Sequence, residues 1–145
     1  MVNKRQELLK DLIEKLSRAI HAIHSEQCFS FGNNTLRKQE IMILFFIYEN
    51  KGVSSVKDLA NFLHVTSGAI TQFTDGLVEK KIVQREENSE DRRSINIKLT
   101  AGSEKMIVDF RKKYIESASK SFDFFSDSEL EKFIKLIEKI KTNNC

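Results

Sequence analysis

The strongest constraint on the fold of this chain lies in residues 55–80, where two short helical patterns follow each other closely. The first, SVKDLANFL, covers residues 55–63, and the second extends from Ser67 to about Lys80. Only the residues HVT separate them. Two helices joined by so short a turn are typical of the helix-turn-helix motif, and the small Ala60 suits the close crossing that this motif requires.

A pattern typical of a β-hairpin follows the second helix directly. Residues 82–85 form a short strand signal, and residues 94–99 alternate strictly between apolar and polar side chains. The polar loop EENSEDRR joins the two predicted strands, and we expect Ile95, Ile97 and Leu99 to face the core. A two-stranded ribbon beside a helix-turn-helix predicts a winged helix, with residues 67–80 as the recognition helix and the hairpin as the wing.

Long helical patterns lie on both sides of this central unit. Before it, residues 4–28 predict one helix, and Thr35 is the predicted N-cap of an apolar helix over about residues 36–50. After it, helices are predicted from about residue 101 and from the capping box SDSE at 126–129. Since the chain has no Pro and only 5 Gly, we predict a mainly α protein, a winged helix-turn-helix with a two-stranded β wing and flanking helices.

The charge of the chain permits an anionic partner without demanding one. The formal net charge is +3, and the sequence pI is about 8.8. Residues 66–100 carry 6 basic and 6 acidic side chains, so no broad basic patch is encoded there. If this chain binds nucleic acid, geometry rather than composition must concentrate the positive charge.

Several classes of function and location are disfavoured by what the sequence lacks. No apolar run approaches the roughly 20 residues of a membrane span, and the N-terminus has no signal-peptide core, so we expect a cytoplasmic protein without a membrane partner. The two cysteines, Cys28 and Cys145, fit a reducing compartment. Without a Gly-rich phosphate loop, a G-x-S-x-G or an H-E-x-x-H motif, we expect no enzyme and no cofactor.

One face of the predicted recognition helix is suited to the major groove of DNA. Its buried side is apolar, with Ile70, Phe73 and Leu77. The residues that point away are small or polar, namely Ser67, Gly68, Thr71, Gln72 and Asp75. Gln72 can pair with adenine, and Gly68 lets the backbone approach closely, whereas Asp75 would repel phosphate. The alternative is a winged-helix protein-interaction module that does not bind DNA.

The stretch DRRSINIKLTAG, residues 91–102, resembles the wing signature of the MarR family of bacterial transcriptional regulators. That signature has an Asp, any residue, an Arg, a Ser and a strand that ends in Leu-Thr. The resemblance implies a single domain over residues 1–145, with a DNA-binding core at about 36–100 and dimerisation helices at about 4–28 and 101–145. It also implies a homodimeric regulator, expected to be a repressor, on a pseudo-palindromic operator in double-stranded DNA.

The resemblance also assigns roles to individual residues. Arg93 falls on the wing-tip Arg that enters the minor groove, Asp91 would hold its guanidinium, and Arg92 would contact phosphate or solvent. Four residues fall on groove-facing positions of the recognition helix, namely Ser67, Ala69, Thr71 and Gln72. Ser54 and Ser55 would offer hydroxyls and amides to phosphate.

In two places the sequence departs from the family pattern. Lys81 stands where the family usually ends the recognition helix with a Gly, which puts the last turn of that helix in question. Ser89 stands in the wing loop where Pro is common. We expect the wing loop to be less rigid before it meets DNA.

Family resemblance raises the question of an effector that releases DNA. His21, His24 and Cys28 share one face of the first predicted helix. These residues could bind a metal ion, or they could form a polar edge of the dimer interface. The Cys28 thiol could also sense an oxidant, or it could be a small buried apolar residue without a redox role. A small-molecule pocket would have aromatic walls among Phe29, Phe31, Phe45, Tyr48 and Tyr114, although such residues more often belong to a core.

Overall fold

The computed structural model of the chain describes residues 3–23 and 28–141. These residues form six α-helices, one short 3-10 helix and two small antiparallel sheets, which confirms the mainly α winged-helix prediction. In chain order the elements are α1 (Lys4–Ile23), β1 (Cys28–Phe31), β2 (Asn34–Arg37), α2 (Lys38–Glu49), β3 (Val53–Ser55), α3 (Val56–Leu63), α4 (Ser67–Glu79), β4 (Val83–Glu87), β5 (Ile95–Leu99), α5 (Ser103–Ser119), the 3-10 helix (Lys120–Phe122) and α6 (Asp127–Glu138).

Helix α2 is the centre of the winged-helix core. Its sequence is apolar on nearly all sides, and a helix of that kind must be buried by its neighbours. The fully buried side chains include Ile43 and Ile47 from α2 and one or more from each surrounding element, namely Leu59, Ile70, Leu77, Ile97 and Ile107. The core therefore holds the helix-turn-helix, the wing strands and the first part of α5 around one helix.

The wing has a third strand that the sequence did not predict. The sheet order is β3-β5-β4, with β5 paired antiparallel to both neighbours. A strand of three residues is too short to show a period of two, which explains why it was missed. The expected inward face also needs a correction, because Ile97 and Leu99 are buried but Ile95 is 46% exposed, opposite Glu87 at the far end of the ribbon.

A second β-hairpin precedes α2, where the sequence predicted the end of a helix over residues 4–28 and a break at residues 31–34. Helix α1 ends at Ile23 and Cys28 is the first residue of β1, so the prediction that Cys28 shares a helix face with His21 is wrong. Strands β1 and β2 pair from Cys28↔Arg37 to Phe31↔Asn34, and Gly32 at the turn has a φ of 59°. Thr35 is therefore a strand residue, and its prediction as the N-cap of α2 is wrong. That helix begins at Lys38, after Arg37, whose N–H donates to Glu40 Oε2 at 2.7 Å.

The flanking helices are described within two compact units, one that ends at Lys113 and one that begins at Tyr114. In the first unit, α1 has no buried residue. In the second unit, the predicted capping box at 126–129 is confirmed, because Ser126 and Glu129 exchange side-chain to backbone hydrogen bonds at the start of α6. Among the described residues, no helix has the length and apolar character needed to cross a membrane.

Candidate nucleic-acid interface

The turn between α3 and α4 has the geometry that the spacing of their sequences predicted. Helix α3 ends at Leu63, and its C-cap residue, His64, is in the left-handed region with a φ of 54°. The N–H of Val65 donates to the carbonyl of Ala60 at 3.1 Å and closes the turn. Thr66 then caps α4 by accepting the N–H of Ala69 at 3.1 Å. This connection sets the angle at which the recognition helix leaves α3.

The exposed face of α4 carries the residues that the sequence placed there. Ile70, Thr74 and Leu77 are buried against the core, and the Thr74 hydroxyl donates to the Thr71 carbonyl at 3.1 Å. The opposite face is polar and exposed, with Ser67, Gly68, Thr71, Gln72 and Asp75; Ala69 beside it is partly exposed. The N-terminal half of α4 thus presents small side chains, hydroxyls and one primary amide to solvent.

The two serines before α3 have different environments. Ser55 is the N-cap of α3 and accepts the N–H of Asp58 at 3.0 Å, which confirms the S-x-x-D cap. Ser54, in contrast, is 7% exposed, lies opposite Ile97 in the sheet, and has a buried Oγ without a hydrogen-bond partner. The expectation that the Ser54 hydroxyl contacts phosphate is therefore wrong, because strand β3 turns this side chain inward.

The wing tip is organised by Asp91. Its carboxylate accepts the backbone N–H of Arg93 at 3.0 Å, and its carbonyl accepts the N–H of Ser94 at 3.0 Å. The side chains of Asp91, Arg92 and Arg93 are all exposed. The resemblance implied that Asp91 holds the Arg93 guanidinium, but among the described residues no ion pair joins these two side chains. Asp91 instead fixes the loop backbone from which Arg93 projects.

A contact that the sequence did not predict ties the wing to the recognition helix. The guanidinium of Arg85 on β4 forms an ion pair with Asp75 on α4. The same Nη2 lies 3.4 Å from the Thr71 carbonyl and 3.4 Å from the Thr74 hydroxyl. Asp75 is therefore partly neutralised, and the wing strand and α4 are held as one body. The two partners are 10 residues apart in the sequence and lie on different elements, a helix and a strand. Helical or strand periodicity within one element therefore could not predict the pair.

The structure shows how α4 ends although Lys81 stands where the family usually has a Gly. The N–H of Ile82 donates to the Leu77 carbonyl at 3.0 Å, and the N–H of Lys81 donates to the Val78 carbonyl at 3.0 Å. This is the Schellman pattern, which places its central residue in the left-handed region. Lys81 has a φ of 60°, so the helix ends as it would with a Gly. A side chain in that conformation costs about 1–2 kcal/mol.

The residues considered for an effector do not converge on a metal site in the described part of the chain. There, no group of three or more His, Cys, Asp or Glu residues could hold a metal ion. His21 is exposed in the last turn of α1. His24 and the Cys28 side chain lie outside the described residues, so the metal and thiol hypotheses stay untested.

Most of the aromatic residues considered as pocket walls are packed. Phe29, Phe31 and Phe45 surround Phe110 with ring centroids 5.8–5.9 Å away, and Tyr48 packs against the core. Burial raises the pKa of the Tyr114 phenol, which favours its neutral form. Phe31 also borders an open cavity of about 200 Å³ between the β1–β2 hairpin and α5, whose lining includes Met106, Asp109, Phe110 and Lys113.

A helix-turn-helix whose second helix is braced by a β wing defines the winged-helix class. The sequence model of the MarR family matches residues 36–95. YpoP, an HTH-type transcriptional regulator of Bacillus subtilis (strain 168), is 32% identical over 140 residues, which cover 97% of this chain and 93% of YpoP. The chain therefore belongs to the MarR family, as its wing sequence suggested.

Further relatives agree with this assignment. The HTH-type transcriptional repressor YetL of B. subtilis (strain 168) is 29% identical over 108 residues, or 74% of this chain and 65% of YetL. A cysteine-to-serine mutant of MarR from E. coli, solved with operator DNA, has the same fold, with a TM-score of 0.76, 18% identity and coverage of 97% of this chain and 100% of that one. The regulator BldR of Sulfolobus solfataricus has a TM-score of 0.70 at 25% identity, over 96% and 100% of the chains.

Proposed function

We propose that this chain is a homodimeric transcriptional repressor that binds a pseudo-palindromic operator in double-stranded DNA. The observation that carries the proposal is the Arg85–Asp75 ion pair, which joins an exposed polar recognition helix to a wing with exposed arginines at its tip. Two surfaces fixed to each other in this way can enter adjacent grooves without reorganisation. The family relationship and the operator complex of MarR from E. coli support the same function.

The N-terminal half of α4 is the part proposed to read the major groove. Gln72 has an exposed amide that can pair bidentately with adenine, and Thr71 can donate to or accept from a base or phosphate. Ser67, Gly68 and Ala69 at the entry turn have small side chains, which allow the backbone to approach the groove wall. The ion pair of Asp75 with Arg85 reduces the repulsion between Asp75 and phosphate.

The wing and the start of α3 are proposed to position the protein on the duplex. Arg93 would enter the minor groove, where a narrow A·T-rich sequence has enhanced negative potential. Arg92 would contact phosphate. Ser55 lies at the N-terminus of α3, where backbone amides and the helix dipole favour an anion. Only a few cations are involved, because residues 66–100 have no net charge.

The flanking helices are proposed to form the dimer, at about residues 4–28 and 101–145. In the first unit, Leu8, Leu12 and Ile13 of α1 are 60%, 57% and 61% exposed. In the second unit, α6 exposes the apolar side chains of Ile134, Leu136 and Ile137, and the exposed Ile140 follows its end. Apolar faces of this size are typical of association sites. A second copy of the chain is the occupant that a two-fold symmetric operator requires.

An effector is proposed to regulate DNA binding through the cavity beside the β1–β2 hairpin. Its lining includes the aromatic residues Phe31 and Phe110 and the charged residues Asp109 and Lys113. An aromatic acid would match this lining, because it combines an apolar ring with a carboxylate that Lys113 could pair with. A thermal-shift screen of aromatic acids, with Lys113→Ala as the comparison, tests this part of the proposal.

A salt titration of duplex binding tests the central proposal. The wild-type chain is used to select a sequence from a pool of randomised duplexes, and the affinity for that operator is measured from low to physiological salt. We expect a linear fall of log affinity with log salt, and a slope set by the few phosphate contacts. Failure to bind any duplex at low salt would instead support the protein-interaction alternative.

The oligomeric state is tested by light scattering on the eluting protein. The wild-type chain is expected to be a dimer, and Leu12→Glu in the apolar stripe of α1 is expected to weaken it. Lys10→Glu changes an exposed charged residue of the same helix and serves as the control. A monomeric wild-type chain that still binds the operator with full affinity would contradict the dimer proposal.

A further inference from the structure

A buried carboxylate lies between α2 and the recognition helix. Glu40 in the first turn of α2 is 4% exposed. Its Oε2 accepts the backbone N–H of Arg37 at 2.7 Å. Its Oε1 lies 3.5 Å from the ammonium of Lys80, which caps the end of α4 and also donates to the Thr35 carbonyl at 3.1 Å. Both carboxylate oxygens are therefore held, one by the residue that precedes α2 and the other by the recognition helix.

Gly76 shows that this carboxylate and α4 are closely fitted. Gly76 lies inside α4, where a glycine is destabilising by roughly 0.5–1 kcal/mol relative to alanine. A Cβ added at Gly76 would lie 2.7 Å from Oε1 of Glu40. Since Arg37 and Lys80 hold that carboxylate, it cannot move aside without losing a partner. The missing side chain at Gly76 is what makes room for Glu40.

The two α4 residues beside Glu40, namely Gly76 and Lys80, lie on the same stripe of α4 as the proposed base-reading residue. Gln72, Gly76 and Lys80 are spaced four residues apart, so they lie one above the other along the helix. Contacts at two successive turns fix both the distance of α4 from α2 and its rotation about its own axis. Any rotation of α4 would change the direction in which Gln72 projects.

We propose that Glu40 is a positioning residue that sets the orientation of the recognition helix through Gly76 and Lys80. This inference rests on the proposed DNA-binding function. A role in stability alone fits the arrangement less well, because a buried ion pair contributes little net stability compared with apolar packing. The fit between Glu40 and Gly76 instead specifies one arrangement of two helices.

A double-mutant cycle tests the proposal, with the operator selected by the wild-type chain and a scrambled duplex of equal length as probes. Gly76→Ala is expected to weaken operator binding by about tenfold, while binding to the scrambled duplex stays the same. Glu40→Ala is expected to weaken operator binding as well. In the double variant, the clash is absent, so its operator affinity should equal that of Glu40→Ala alone rather than show two additive losses.

A pair of carboxylate-to-amide variants separates positioning from charge. Glu40→Gln and Glu49→Gln both remove one negative charge from α2, and Glu49 is exposed. General electrostatics predicts slightly tighter DNA binding for both variants. Positioning predicts that Glu40→Gln alone loses operator affinity, because an amide cannot pair with Lys80 in the same way. Glu40→Gln preserves shape, so it remains informative if Gly76→Ala fails to fold.

The possible outcomes distinguish the two proposals. If the wild-type chain selects no sequence and binds no duplex, the proposed function is wrong and the positioning role falls with it. If the wild-type chain selects an operator that Gly76→Ala and Glu40→Gln bind equally well, the positioning role is wrong and the DNA-binding function stands. Circular dichroism melts of each variant establish that the affinities refer to folded protein.

Discussion

The carboxylate of Asp91 accepts a hydrogen bond from the backbone N–H of Arg93 at 3.0 Å. An Asp that binds the amide two residues ahead makes an Asx turn, which stabilises the loop by itself. The acidic residue of the wing signature therefore acts on the backbone at the tip. Its effect on the Arg93 side chain is indirect, through the position of the Cα atom from which that side chain extends.

Asn and Ala substitutions at Asp91 should have different effects on operator affinity. Asp91→Asn keeps an oxygen that can accept the Arg93 amide and removes a negative charge, so operator affinity should be equal to or slightly above that of the wild type. Asp91→Ala removes the turn and should weaken binding. Fluorescence anisotropy on the selected operator measures both. Equal losses for the two variants would show that a carboxylate charge near the guanidinium is required after all.

The two wing arginines should differ in the kind of binding they contribute. Arg93→Ala should reduce affinity most for operators with A·T-rich sequence under the wing, because only there is the minor groove narrow. Arg92→Ala should weaken binding to all sequences alike and reduce the salt slope by about 1, as expected for one lost phosphate contact. Titrations of both variants against A·T-rich and G·C-rich flanks test the difference. A sequence-independent loss for Arg93→Ala would rule out a minor-groove role.

Gln72→Ala should lose base discrimination rather than general affinity. A bidentate contact with adenine distinguishes one base pair from the others by about 1–3 kcal/mol. Affinities for the operator and for a set of single-base-pair variants give this quantity directly. If every duplex is weakened by the same factor, Gln72 is a positioning contact.

Lys81→Gly should stabilise the fold. The residue already has a φ of 60°, so a glycine would relieve strain and raise the free energy of unfolding by about 1 kcal/mol. The control is Lys112→Gly in the interior of α5, where the same change should destabilise the fold by about 1 kcal/mol. Urea unfolding measures both. A loss of stability at Lys81 would mean that its side chain contributes more than its backbone strain costs.

Ser54→Ala should leave DNA binding unchanged. The Ser54 hydroxyl is buried without a hydrogen-bond partner, and removal of such a group is neutral or stabilising by up to about 1 kcal/mol. Ser55→Ala is the matched comparison, because the loss of its cap on α3 should destabilise the fold by about 1 kcal/mol. Chemical denaturation and operator binding of the two variants test the assignment. Weaker operator binding by Ser54→Ala would restore this residue to the interface.

The parts of the fold with a clear period were predictable from the sequence. The alternation over residues 94–99 and the apolar spacing around Ile70 and Leu77 identified the wing strand and the recognition helix, whose predicted span of 67–80 differs by one residue from the observed Ser67–Glu79. Strands β1, β2 and β3 have three or four residues each. Too few residues are present for a period to appear, so their pairing depends on tertiary structure.

The contacts that connect the elements were not predictable in the same way. The pairs Arg85–Asp75 and Glu40–Lys80 form because the chain folds back on itself, and neither has a spacing that a helix or strand would produce. One signal was available for the second pair. Gly76 stands in the middle of a helix where a better helix former is expected, and such a glycine usually marks a close packing contact.

The strand order β3-β5-β4 has a consequence for the entropy of binding. Because β5 is hydrogen-bonded on both edges, the strands of the wing are already ordered before DNA is bound. The part of the wing that can still become ordered on binding is the loop at residues 88–94. The entropic cost of ordering it is about 1–2 kcal/mol for each residue. Asp91 and Asn88 restrict that loop further through their side-chain hydrogen bonds to the backbone. If the wing binds DNA as proposed, little order has to be created on contact, and this offsets the small number of cations that it offers to phosphate.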